Sequence, residues 1–338
     1  MRSTTRRGTL AMTASVLLLA GVATAGDAVI ADPYAAYFQQ GKLRFDNVQQ
    51  MLLAYRRSYD PADPALAWVA AEGGSAGRAS PLKEFPKANA FDIGAVAAGP
   101  QSVLVSGVVQ AGERALRLPP QHVILTYDLA GTLRRQWVVN PYHHHQIAVD
   151  RAGNVYAMGH RIDGQPARNL ILKYSPEGVV EREFFQLSLL PNVADATMPD
   201  GRCADNQLWV DGERLLVYMA EPDELFQFAL DGKLQRRTSL RQGLARLASN
   251  LGGVRAEIKA LAADSRSASV LAEVCIWGDD HGEEKLSFAL ARLSLEGTRP
   301  QVLEPADCGE LGTFQVLLGR SPDAILLLNR YTATILRR

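Results

Sequence analysis

An all-β fold is predicted by three features of the sequence. A hairpin unit repeats, as Tyr127 to Leu133, Tyr174 to Val180, Phe228 to Leu234 and, more weakly, Leu293 to Gly297. Each repeat joins two alternating apolar strands through a short turn that ends in Gly131, Gly178, Gly232 or Gly297, and glycine tolerates the positive φ such turns need. A second hairpin precedes each of these, most clearly Ile147 to Met158 around Asp150 to Gly153. Two hairpins per repeat make a four-stranded antiparallel blade, and fixed-period blades make a β-propeller.

The elements follow in order. Residues 1–25 carry Arg2, Arg6 and Arg7, an apolar run from Thr9 to Val22, and the small-x-small pattern Ala23-Thr24-Ala25, which reads as a cleaved secretory signal. The run is short against the roughly 20 apolar residues of a membrane span. No cysteine stands at the cleavage region for lipid attachment, and Thr9 and Ala11 depart from a twin-arginine signal. Without those arginines the mature chain holds 33 basic and 36 acidic side chains, a net charge of −3. That balance argues against a nucleic-acid partner. No second apolar stretch long enough to cross a bilayer follows Ala25. A periplasmic or secreted protein is expected.

Residues 26–81 leave two alternatives open. Val48, Met51, Leu52, Tyr55 and Tyr59 fall at helical spacing, predicting a helix over Asp46 to Tyr59; alternatively, 43–86 form a degenerate sixth blade. The propeller domain spans 82–338, with five recognisable blades beginning near 92, 145, 206, 257 and 313. The last blade ends within its third strand, so a strand from the other chain end must complete it. Leu82 to Phe85 is the expected donor, and closure removes the open sheet edge.

The runs IAVDRAGNVYAMG at 147–159 and YSPEGVVEREF at 174–184 resemble the NHL-type six-bladed propellers. The resemblance covers most of the mature chain and is sharp in one blade. It implies fold more than function, because such families include binding modules as well as metal-dependent lactonases and lyases.

Blade topology sorts the loops. Turns between first and second strands, and between third and fourth, lie on one face, called the bottom, and are tight and Gly-rich. The top loops are long, notably 109–120, 187–205 and 241–256. Long loops on a rigid scaffold are where binding usually resides. Residues 241–256 predict a short helix with Leu244, Leu247 and Leu251 on one side and Gly252-Gly253 as its stop.

All six histidines map to the top face: His122, His143, His144, His145, His160 and His281. His143 and His145 share one side of a strand, and the hairpin places His160 opposite 143, 144 or 145. His143, His145 and His160 are therefore candidate ligands for Zn²⁺ or Cu²⁺; the alternative is a solvated His-rich loop. Asp92, Asp205, Asn206 and Glu257 begin the innermost strands and form a second candidate site, an oxygen-rich channel mouth suited to Ca²⁺ or a polar ligand. Ordinary hydration of the mouth competes with that reading. The three cysteines are odd in number. Cys275 and Cys308 are the expected disulfide, with Cys203 left over.

The leading expectation is an exported binding propeller that takes a protein, peptide or small ligand on its top face. The alternative is a metal-dependent hydrolase or lyase of the lactonase-like propeller type. A quinone or haem redox propeller ranks below both, since no CxxCH occurs.

Overall fold

The computed structural model describes residues 28–29, 38, 41–46, 49–70, 76–111, 120–165, 168–190, 206–264, 269–280, 283–295, 300–306, 314–318, 325–329 and 334–337. The expected signal segment (residues 1–25), Cys203, Asp205, His281 and Cys308 lie outside them.

The described residues form six four-stranded antiparallel sheets arranged as the blades of a propeller. Five are runs of four consecutive strands. The first holds β2 (Lys42–Asp46), β3 (Met51–Tyr55), β4 (Leu66–Ala70) and β5 (Ala76–Ala79). The second holds β6 (Ala88–Gly99), β7 (Ser102–Ala111), β8 (Gln121–Asp128) and β9 (Leu133–Val138). The third holds β10 (Tyr142–Val149), β11 (Val155–Arg161), β12 (Asn169–Tyr174) and β13 (Val180–Gln186). The fourth holds β14 (Gln207–Asp211), β15 (Arg214–Met219), β16 (Glu224–Ala229) and β17 (Leu234–Ser239). The fifth holds β18 (Arg255–Asp264), β19 (Ser269–Asp280), β20 (Glu283–Ser294) and β21 (Gln301–Ala306). The sixth sheet is composite. Its strands β22 (Phe314–Leu318), β23 (Ile325–Asn329) and β24 (Thr334–Arg337) are completed by β1 (Ala28–Val29).

The ring is closed by both chain ends, as expected, but the donor differs. Val29 pairs with Thr334 and Ala28 with Ile335. Leu82 to Phe85 supplies no strand: Pro81–Glu84 is a 3-10 turn whose Leu82 is buried. The first sheet is already filled by Lys42 to Ala79, so this segment is the connection to β6. The helix expected over Asp46 to Tyr59 is likewise replaced by β2 and β3. Met51, Leu52, Leu53 and Ala54 are all buried, and a strand covered on both faces loses the alternation that distinguishes it from a helix.

Neighbouring sheets pack through apolar layers. Leu53, Trp68, Val105 and Val123 fill the space between the first and second; Ala97, Leu104, Ile147 and Leu172 that between the second and third. Tyr156, Met158, Phe226 and Phe228 join the third to the fourth. Helix α1 (Arg241–Asn250) lays Leu244 and Leu247 on the layer between the fourth and fifth sheets, and it stops at Gly252 (φ 72°), as expected for 241–256. Leu187 and Leu189 also pack inward.

The predicted turn glycines have a second job. Gly131, Gly178 and Gly232 all take φ 85°. A Cβ on Gly178 would meet Trp137 at 2.7 Å, and one on Gly232 would meet Phe184 at 2.8 Å. Each turn thus abuts the outermost strand of the preceding sheet. An arginine on that strand binds the following turn: Arg135 to the Pro176 carbonyl, Arg182 to that of Asp231, and Arg236 to that of Leu295 at 2.8 Å.

Candidate functional site

Strand β10 carries three consecutive histidines directly after its first residue, Tyr142, and the irregularity of its pairing decides where they go. His143 stands opposite His160 and His144 opposite Gly159, but the register shifts before Gln146 pairs with Met158, leaving His145 as a bulge. Bulges re-aim side chains. Here the bulge sets the His145 Nε2 atom 2.8 Å from His160 Nδ1. Gly159 permits the close approach, since a Cβ there would sit 1.9 Å from the His143 carbonyl oxygen.

The trio inferred from sequence is brought together. Ring centroids are 4.6 Å apart for His143 and His145, 5.4 Å for His143 and His160, and 4.9 Å for His145 and His160. A fourth ring joins from the second sheet. His122, at the start of β8, has its centroid 5.1 Å from that of His143, and the two Nδ1 atoms are 3.2 Å apart. Sequence reasoning placed His122 on the same face and left it out of the trio. The available signal was that it opens a strand of the sheet adjoining β10. The Asn140 side chain holds it there, accepting from the His122 backbone N–H at 2.7 Å.

His144 is different. It is buried (1% exposed), with Nδ1 3.1 Å from Ser106 Oγ and Nε2 3.1 Å from the Tyr174 hydroxyl. With both ring nitrogens engaged, it is a core residue that pins β10 to the second sheet.

Burial, reinforced by the neighbouring imidazoles, lowers the pKa of His143 to about 3 and that of His144 to about 3. Burial, then His160, lowers His145 to about 4. His122 is lowered by burial and by His160, and His160 by burial. At neutral pH the cluster is therefore a set of uncharged imidazoles, the form in which histidine binds metal.

Zn²⁺ binds imidazole nitrogen at about 2.0–2.1 Å, so tetrahedral ligands place their nitrogens about 3.4 Å apart and their ring centroids about 5 Å apart. The observed separations match that spacing. In the present rotamers the nitrogens face one another in pairs, and among the described residues no group of three or more His, Cys, Asp or Glu stands ready to hold a metal ion.

The residues of the channel mouth are engaged elsewhere. Asp92 pairs with Arg57 at 2.7 Å and accepts from Gln110 at 2.9 Å. Buried Asn206 accepts from the Ala220 N–H at 2.9 Å. Glu257 lies between Arg255 at 2.7 Å and Lys259 at 3.0 Å. Asp205 falls outside the described residues. Cys275 is buried in β19, opposite Glu257 in the ladder, and its expected partner Cys308 is not among the described residues.

No protein-family profile and no curated protein matches the chain. Solved structures are similar at low identity. A periplasmic gluconolactonase from Pseudomonas aeruginosa is 13% identical, with 86% of this chain and 78% of that chain covered and a TM-score of 0.40. The PQQ-bound aldose sugar dehydrogenase from Streptomyces coelicolor is 18% identical, with 85% and 90% covered and a TM-score of 0.40. A chain of a mitotic checkpoint complex is 8% identical, with 100% and 98% covered and a TM-score of 0.48. At such identities and scores these proteins lend the chain no activity. No helix among the described residues is long and apolar enough to cross a membrane.

Proposed function

We propose that the protein is an exported, NHL-like propeller acting as a binding module, and that its binding centre is the histidine cluster on the top face between the second and third sheets. The ligand is a divalent transition metal, Zn²⁺ or Cu²⁺, held by His143, His145 and His160 with His122 alongside, or a peptide or small molecule bound through that metal. The observation that carries the reading is the set of ring separations, 4.6, 5.4 and 4.9 Å, on imidazoles kept neutral by burial. To share an ion, the rings must rotate out of their present pairings so that their nitrogens turn toward it.

Borderline metals suit this nitrogen set and Ca²⁺ does not. Ca²⁺ at Asp92, Asp205, Asn206 and Glu257 is the weaker proposal, because Arg57, Arg255 and Lys259 already neutralise two of the carboxylates. A metal-dependent hydrolase or lyase is the second reading. Three imidazoles leave a fourth tetrahedral position for water, yet among the described residues the electrostatic influences on His143 and His145 come from other imidazoles and not from a carboxylate that could act as base.

The test is elemental analysis of the mature, untagged protein beside the His143→Ala/His145→Ala/His160→Ala variant, with circular dichroism to verify folding. Stoichiometric Zn or Cu in the wild type, lost in the folded variant, supports the proposal. Absence of metal binding after titration with Zn²⁺ and Cu²⁺ overturns it. Turnover of lactones or esters by the loaded protein would favour the enzyme.

A further inference from the structure

The central channel holds a partly buried cation that none of the sites above uses. Arg44 lies on β2, the innermost strand of the first sheet. Its Nη1 donates to the Gln146 side-chain oxygen on β10, and its Nη2 donates to the Leu208 carbonyl on β14 at 2.5 Å. In a ring of six sheets the first and fourth face each other. Arg44 therefore reaches across the channel axis and ties three inner strands together.

Both acceptors are neutral. The Nε atom is buried without a hydrogen-bond partner. Among the described residues no carboxylate stands within ion-pair distance of Arg44; Asp46 and Tyr55 act on it electrostatically from the same sheet, and burial outweighs them to lower its pKa. Asp46 directs one carboxylate oxygen to the Gln49 N–H at 2.9 Å. A guanidinium drawn partly out of water is normally paired with an anion, and the buried Nε–H without a partner calls for an explanation in strain, a water or an ion.

We propose that the channel at the level of Arg44 is a second binding site, for a small oxyanion of the carboxylate or phosphate class. Guanidinium offers five N–H donors in a planar fork. Two are used here, so three remain, of which Nε–H and the second Nη2 hydrogen are the pair that would take two oxygens side-on. The Gln146 amide NH₂ adds a donor beside them. Gln146 directly follows His145 on β10, but the oxyanion donors are those of Arg44 and Gln146, and the site does not depend on metal.

The mature protein, freed of metal by chelation, is titrated with sodium phosphate, sodium acetate and sodium citrate against sodium chloride at matched ionic strength. Binding is read by calorimetry and by the ¹⁵N resonances of arginine Nε. Saturable binding of phosphate or of a carboxylate, with one Nε resonance moving, is expected, and the arm that binds identifies the class. Arg44→Gln should weaken it by about tenfold or more, and Gln146→Leu by less. No oxyanion binding beyond chloride, or unchanged binding in a folded Arg44→Gln, overturns the site. If Arg44→Gln fails to fold, the wild-type titration decides: no moving Nε resonance at saturation overturns it equally.

Discussion

His143 stands directly opposite His160 in the β10–β11 ladder, with the His144–Gly159 pair between it and the bulge that re-aims His145. The cluster thus depends on two strands approaching closely at Gly159, where a Cβ would lie 1.9 Å from the His143 carbonyl oxygen. Gly159→Ala should lower stability by about 1–3 kcal/mol and weaken metal binding. Gly243 in α1 is the control: an added Cβ meets nothing closer than Leu293 at 3.8 Å, so Gly243→Ala should stabilise by about 0.5 kcal/mol. Urea unfolding of both variants checks the signs; equal midpoints would rule out the steric account.

Acid should destabilise the protein through the same rings. Unfolded histidine titrates near 6.5, whereas His143 titrates at about 3 and His145 at about 4 in the fold. Between those limits the unfolded chain binds more protons. The contribution of the neutral rings is complete above about pH 6.5 and is lost progressively as pH falls toward 3–4. The urea midpoint of the metal-free protein should drop from pH 7.5 to 5.5, where few carboxylates titrate, and His143→Gln/His145→Gln should flatten that slope. A slope unchanged in the variant would refute the assignment.

Two buried tyrosines should respond oppositely to loss of their hydroxyls. Tyr174 reaches His144 Nε2 at 3.1 Å, so Tyr174→Phe leaves a buried ring nitrogen without its partner and should cost about 1–3 kcal/mol. The Tyr127 hydroxyl is buried without a partner, and Tyr127→Phe should be neutral or stabilising. Thermal unfolding of the pair measures the difference, and similar losses in both would contradict it.

Metal uptake by the cluster and oxyanion uptake at Arg44 are separable. Loading with Zn²⁺ should leave phosphate affinity at Arg44 within about threefold, since the two sites share no ligand atom even though Gln146 follows His145 in the chain. Strong coupling, measured by calorimetry with and without Zn²⁺, would show that one ligand spans both.

By itself the sequence determined the local grammar of this protein. Hairpins such as Tyr127 to Leu133 advertise themselves because the turn glycine, the flanking alternation and the Asp or Ser that opens the turn are neighbours in the chain. The beginnings of the five blades, and the approach of His143, His145 and His160, follow from that grammar, because β10 and β11 form one hairpin. Tertiary structure alone decided the rest. A closing strand of two residues, Ala28–Val29, has no periodicity to read, and the first sheet hid its alternation by being buried on both faces. His122 meets His143 across a boundary between sheets, and Arg44 meets Leu208 164 residues away across the channel. Such contacts depend on how the sheets turn about a common axis, a quantity carried by the packing of all the blades and by no single stretch of chain.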